Sequence, residues 1–182
     1  MKDFKRDDLI FSLCGLNCGL CQMKLGGYCP GCGGGAGNQP CKIAACAGEH
    51  GGVEYCSGCL AFPCERYENP AAYDVFIPGR NRLVDLLRQR ALGAEAYNAV
   101  QLEKVQILQT LLDHYNDGRR KTFFCVAVNL LEPDDLRRVL AAAGEKGGFK
   151  DLKEASVFVC GLLSEIASEK GIELKLRKKP KK

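Results

Sequence analysis

Four short runs decide how this chain folds: CGLNCGLC at residues 14–21, YCPGC at 28–32, CKIAAC at 41–46 and YCSGCLAFPC at 55–64. Ten of the 12 cysteines fall between Cys14 and Cys64, and only Cys125 and Cys160 lie beyond. Three pairs have CxxC spacing: Cys18 with Cys21, Cys29 with Cys32, and Cys56 with Cys59. Two intervening residues make a tight turn that aims both sulfurs at one ion, and glycine relieves the steric cost of that turn. One such pair could be a redox couple. Three of them, with Cys14, Cys41, Cys46 and Cys64 brought in singly by loops, point to metal ligation.

Dense cysteine has two explanations, a disulfide framework in an oxidising compartment or metal thiolates in a reducing one. The chain opens MKDFKRDDLIFSL, and its charges at Lys2, Asp3, Lys5, Arg6, Asp7 and Asp8 leave no apolar core for a signal peptide. No stretch approaches the length of a membrane span. The expectation is therefore a soluble cytoplasmic protein with reduced sulfurs and no membrane partner. The apolar content agrees. Between Cys14 and Cys64 the large apolar side chains are few, chiefly Leu16, Leu20, Met23, Leu25, Ile43, Val53, Leu60 and Phe62, among 13 glycines. Ordering a backbone costs roughly 1–2 kcal/mol per residue, and so little burial does not offset it without cross-links or metal.

Ligand arithmetic leaves the metal open. Two four-cysteine zinc sites use eight sulfurs, a six-cysteine binuclear cluster with one four-cysteine site uses all ten, and two cubane iron–sulfur clusters use eight. Glycines beside the second cysteine of a pair favour zinc, giving two or three ions. The iron–sulfur alternative rests on Cys14, Cys18 and Cys21, whose CxxxCxxC spacing is that of radical S-adenosylmethionine enzymes. Those enzymes are built on a β/α barrel, for which this chain lacks the length and the alternating elements. An electron-transfer cluster fits better, and the Cys29–Pro30 step resembles that of ferredoxins. The triplet Gly33, Gly35 and Gly37 is read as a spacer, since no strand precedes it and no Lys-Ser/Thr pair follows. His50 is read as a surface-loop histidine. His114 has no dyad partner, and Cys125 and Cys160 are read as small buried hydrophobes. No catalytic residue is assigned.

Outside the cysteine region the pattern changes. Residues 1–68 form the expected cysteine-rich domain, and the segment NPAAYDVFIPGRN at 69–81, with two prolines and a glycine, reads as a linker. Leu83, Leu86, Leu87 and Arg90 then share a helical stripe. Tyr97, Val100, Leu108, Leu111, Leu112 and Tyr115 continue the 3.6-residue period, interrupted by Lys104 and stopped at Gly118. TFFCVAVNLL at 122–131 is apolar on nearly every side, so periodicity alone does not separate a buried strand from a buried helix, and helix is the reading taken. Pro133 starts a short helix ending before Gly144, another runs from about Asp151 to Lys170, and a strand is expected over 172–176. The fold class that follows is mainly α: a small irregular metal-stabilised N-terminal region plus a helical domain over 82–177. A basic tail occupies 178–182. In KLRKKPKK, residues 175–182, six of eight positions are basic, which admits nucleic acid as a partner. With no interleaved aromatics a solvated tail is the plainer reading.

Taken in order, CGLNCGLC, CPGC, CKIAACA and CSGCLAFPC resemble the domain-of-unknown-function 3795 family of bacteria and archaea. The segments DGRRKTFFCVAVNLL and GIELKLRKK are similar to the C-terminal half of that family. The resemblance implies ten metal-binding cysteines, here Cys14, Cys18, Cys21, Cys29, Cys32, Cys41, Cys46, Cys56, Cys59 and Cys64. It implies no substrate. The expected function is that of a metal-binding module, structural or directed at a protein partner.

Overall fold

A computed structural model describes residues 4–38, 40–68 and 73–179. The described chain is mainly α. Its helices are α1 (Gln22–Leu25), α2 (Lys42–Glu49), α3 (Glu65–Glu68), α4 (Arg82–Leu92), α5 (Ala94–Tyr115), α6 (Lys121–Leu130), α7 (Pro133–Lys146) and α8 (Leu152–Glu169). Two 3₁₀ turns, Cys18–Leu20 and Cys56–Gly58, sit on two of the three CxxC pairs. Among the described residues the only β pairing outside named strands is an isolated bridge between Lys5 and Gly34. No helix among them is long and apolar enough to cross a membrane.

The chain forms two compact units, residues 1–102 with 176–182, and residues 103–175. In the second unit, helix α6 is buried along nearly its whole length, from Phe124 to Leu130. That is why its sequence shows no polar face. Leu136 and Val139 of α7, with Val159 and Leu163 of α8, complete a conventional core. Full burial of each such side chain is worth about 1.5–3 kcal/mol. Asp151 caps α8 by accepting the Glu154 amide at 2.8 Å, and the Glu154 carboxylate accepts the Lys150 amide at 2.9 Å. Pro133 occupies the first turn of α7 as expected, but the helix runs through Gly144 and ends at Gly147, where φ is +48°. The glycine that stops the helix is the one needing a left-handed conformation. The strand expected over 172–176 does not form. The Lys175 amide turns back onto the Glu173 carbonyl at 2.9 Å, and no β pairing covers this segment. Lys104, an apparent interruption, lies on the buried face of α5 at 6 % exposure and donates to the Asn129 carbonyl at 3.5 Å.

In the first unit two small clusters replace a single core. Phe11, Phe62, Tyr67, Leu86 and Tyr97 make one, and Leu13, Ala44 and Ala47 make the other. The boundary at residue 102 differs from the break expected over 69–81, of which residues 69–72 lie outside the described residues. The reason is the underside of α4. Its buried residues are Asp85, Leu86 and Gln89, whereas Leu87 and Arg90 of the expected stripe are exposed. The Asp85 carboxylate accepts from Asn17 Nδ2 at 3.0 Å, just before the first 3₁₀ turn, and Ser57 Oγ, within the second, donates to Gln89 Oε1. One helical turn of α4 therefore holds both cysteine turns, and Tyr97 of α5 joins by donating to Asn17 Oδ1 at 3.2 Å.

Polar staples do the rest. Arg6, with its side chain only 1 % exposed, donates to the carbonyls of Glu54 (2.9 Å), Cys32 (3.3 Å) and Phe11 (3.1 Å) and pairs with the Glu54 carboxylate at 3.1 Å. Asp8 Oδ1 accepts the amides of Ile10 and Phe11, while Oδ2 accepts from Tyr55 Oη at 2.7 Å and Asn98 Nδ2 at 3.0 Å. The C-terminal segment is not simply solvated. Asp74, its side chain 0 % exposed, accepts from the Arg177 amide at 2.9 Å and Arg177 Nη2 at 2.8 Å, and the Asp74 amide donates to the Arg177 carbonyl at 2.8 Å. Residues 180–182 of the expected tail lie outside the described residues.

Candidate metal centre

The CxxC pairs adopt the turns their spacing requires. The Cys21 amide donates to the Cys18 carbonyl and the Cys59 amide to the Cys56 carbonyl, each at 3.0 Å. At the third pair Gly31 takes φ +95°, and the Gly34 amide donates to its carbonyl at 3.1 Å. Gly15 is demanded twice over. Its φ is +89°, and a Cβ there would lie 2.4 Å from the Arg82 carbonyl oxygen. The sequence between Cys14 and Cys18 can therefore pass close beneath α4 only with glycine at this position.

The sulfurs fall into two neighbourhoods. In the first, the Cys18 thiol is pushed up to about 12, by burial first and then by the charges of Cys14, Cys32 and Cys21, against a hydrogen bond from the Cys32 amide. Cys32 is also raised, chiefly by burial, while the Leu13 amide and the nearby Arg6 guanidinium work the other way. Backbone amides donating to sulfurs are what hold a thiolate in a metal knuckle. In the second neighbourhood, Cys46 from α2, Cys56 and Cys59 from the second 3₁₀ turn, and Cys64 just before α3 line one cavity of about 30 Å³. Cys56 is pushed up to about 11 by burial and by the charges of Cys14 and Cys64, opposed by a hydrogen bond from Tyr67 and by Arg82. Cys14 thus acts electrostatically on both groups. Its sulfur lies 3.3 Å from Ser12 Oγ, and its carbonyl accepts from Arg82 Nε at 3.0 Å and Tyr67 Oη at 3.4 Å.

Cys29 and Cys41 are outside the cavity lining, and Cys41 is exposed at the start of α2. His50 also borders the cavity, with Nδ1 3.6 Å from Cys46 Sγ and 2.8 Å from the Cys46 carbonyl oxygen. It is exposed, at the C-terminal end of α2. Among the described residues no three His, Cys, Asp or Glu side chains are placed to hold an ion as they stand. The donor set itself fits a thiophilic ion: soft sulfur ligands with backbone amides donating to them.

Arg6, Tyr67 and Arg82 also approach the sulfurs, and cysteine spacing could not reveal them. Arg82 comes from a distant position, whereas Tyr67 follows Cys64 by three residues and Arg6 precedes Cys14 by eight, and none belongs to a CxxC motif. The only sequence signal was Arg6 amid the charges at the N-terminus, which bears on compartment and not on geometry. The chain matches no family model, no curated protein and no solved structure.

Proposed function

We propose that the first unit is a thiolate metal centre, holding zinc in two or three ions, that folds a partner-binding module of a cytoplasmic protein. The observation that carries this reading is the convergence of Cys46, Cys56, Cys59 and Cys64 on the lining of one cavity. Cys14, Cys18, Cys21 and Cys32 supply the donors of a second site, supported by their mutual electrostatic influence on Cys18. Cys29 and Cys41 complete the ten ligands that the resemblance to the domain-of-unknown-function 3795 family implies. The zinc would supply structure, cross-linking segments whose apolar contacts are sparse. Elemental analysis of anaerobically purified full-length protein tests it. Two or three zinc per chain is the expected result, and material free of zinc and iron with native folding sinks the proposal.

The second reading is an iron–sulfur cluster, favoured by the first neighbourhood, where three CxxxCxxC cysteines and Cys32 lie together. The same preparation separates the two readings. A brown sample absorbing broadly near ~400 nm belongs to the cluster, a colourless zinc-replete one to the structural site. For nucleic acid, the tail offers Lys178 and Lys179, while Arg177 is committed to Asp74.

A further inference from the structure

We propose that Arg66, Arg80 and Arg82 line a binding site for a phosphomonoester dianion carried on a small, partly apolar molecule. The three guanidinium groups border one cavity of about 320 Å³, together with Tyr67, Leu83 and Val84. Among the residues whose side chains are described, none that lines it is an aspartate or glutamate. The size is at the lower end of small-molecule pockets, which run from about 300 to 1,000 Å³.

Arg82 is the centre of the site. Its Nε is spent on the Cys14 carbonyl at 3.0 Å, and its Cζ lies 5.4 Å from the centre of the Tyr67 ring. Those contacts hold the guanidinium in place. Its Nη2 is buried without a hydrogen-bond partner, so a fixed donor is left with no acceptor. A terminal phosphate oxygen is the acceptor that suits a guanidinium fork. The nearby carboxylate that might have served instead is engaged elsewhere: Asp74 accepts from Gly79 and from Arg177. The amino end of α4, an 11-residue helix beginning at Arg82, adds a favourable partial charge. Leu83 and Val84 give the cavity an apolar wall larger than bare phosphate would use. Arg66, which also hydrogen-bonds the Cys46 sulfur, brings a third cation to the same wall. No cysteine is among the described lining residues, so the inference does not rest on the metal reading, even though Arg66 also touches Cys46.

The test titrates full-length protein, as purified, with phenyl phosphate and separately with inorganic phosphate, followed by ³¹P line broadening at low salt. Saturable broadening is expected. Arg80→Gln and Arg82→Lys should each weaken binding by about tenfold, the second by losing the planar fork while keeping the charge. Arg138→Gln, exposed on α7, should leave it unchanged. Tighter binding of phenyl phosphate supports the organic ester, and equal binding keeps the site but assigns it to free phosphate. Absence of saturable binding in the wild-type protein overturns the proposal. So does unchanged affinity in both Arg80→Gln and Arg82→Lys with circular dichroism intact.

Discussion

Residues 103–175 and the cysteine-rich unit solve the same problem by different means. The helical unit buries Phe124, Val126, Val128, Leu131, Leu136 and Leu163 to 1 % exposure or less, and its stability is that of packed hydrocarbon. The first unit has two small clusters, staples at Arg6, Asp8 and Asn17, and ten cysteines between Cys14 and Cys64. Hydrocarbon burial tolerates small errors of position, because it is non-directional. A unit held by single directional hydrogen bonds is more sensitive to the loss of any one of them.

That difference can be broken most forcefully from the metal side. Under the proposed zinc reading, stripping the protein with a strong chelator should unfold the first unit and leave the second, since structural zinc supplies about 10–16 kcal/mol per site. Limited proteolysis should then cut within residues 4–68 while 103–175 stays protected. Equal protection of both units would remove the contrast. Leu163→Ala, which empties a fully buried position on α8, should cost about 3 kcal/mol in the helical unit with or without chelator, measured by denaturant melts. Arg6→Ala should cost about 2 kcal/mol, by leaving three buried or half-buried carbonyls short of a donor, and only the cysteine-rich unit should exchange its amides faster.

The smallest effect is a pH dependence at Asp74. Burial pushes this carboxyl up, but the hydrogen bonds from Arg177 and the Gly79 amide outweigh it and hold the group below its ordinary value of 3.8. A carboxylate depressed in the folded state stabilises above the unfolded value and loses that contribution as pH falls through the folded one. The Arg177 amide should therefore lose its protection below about pH 3.8, and Asp74→Asn should abolish this transition. If amide exchange at Arg177 followed the same pH profile in the variant, the anchor would lie elsewhere.

Most helices were legible in the sequence because their signals are local. Pro133, Asp151 and the period through Tyr97, Leu108 and Leu111 each act within a few residues. Three features were not local, and sequence reading missed them. The prolines of 69–81 suggested a break, yet Leu86 and Tyr97 beyond it pack with Phe11 before it. Asp85 and Gln89 looked like the polar side of α4, but their partners Asn17 and Ser57 make that side the buried one. A strand at 172–176 needs a neighbour that only the assembled fold could have provided. For the sulfurs, spacing identified the pairs, whereas the grouping of Cys46 and Cys64 around Cys56 and Cys59 depends on where α2 and α3 end up.

Cys14 belongs to neither sulfur group alone, since its charge is felt at Cys18 and again at Cys56. Under the zinc reading the two sets of ligands would share this neighbour, so that loss of the Cys14 sulfur would be felt at both.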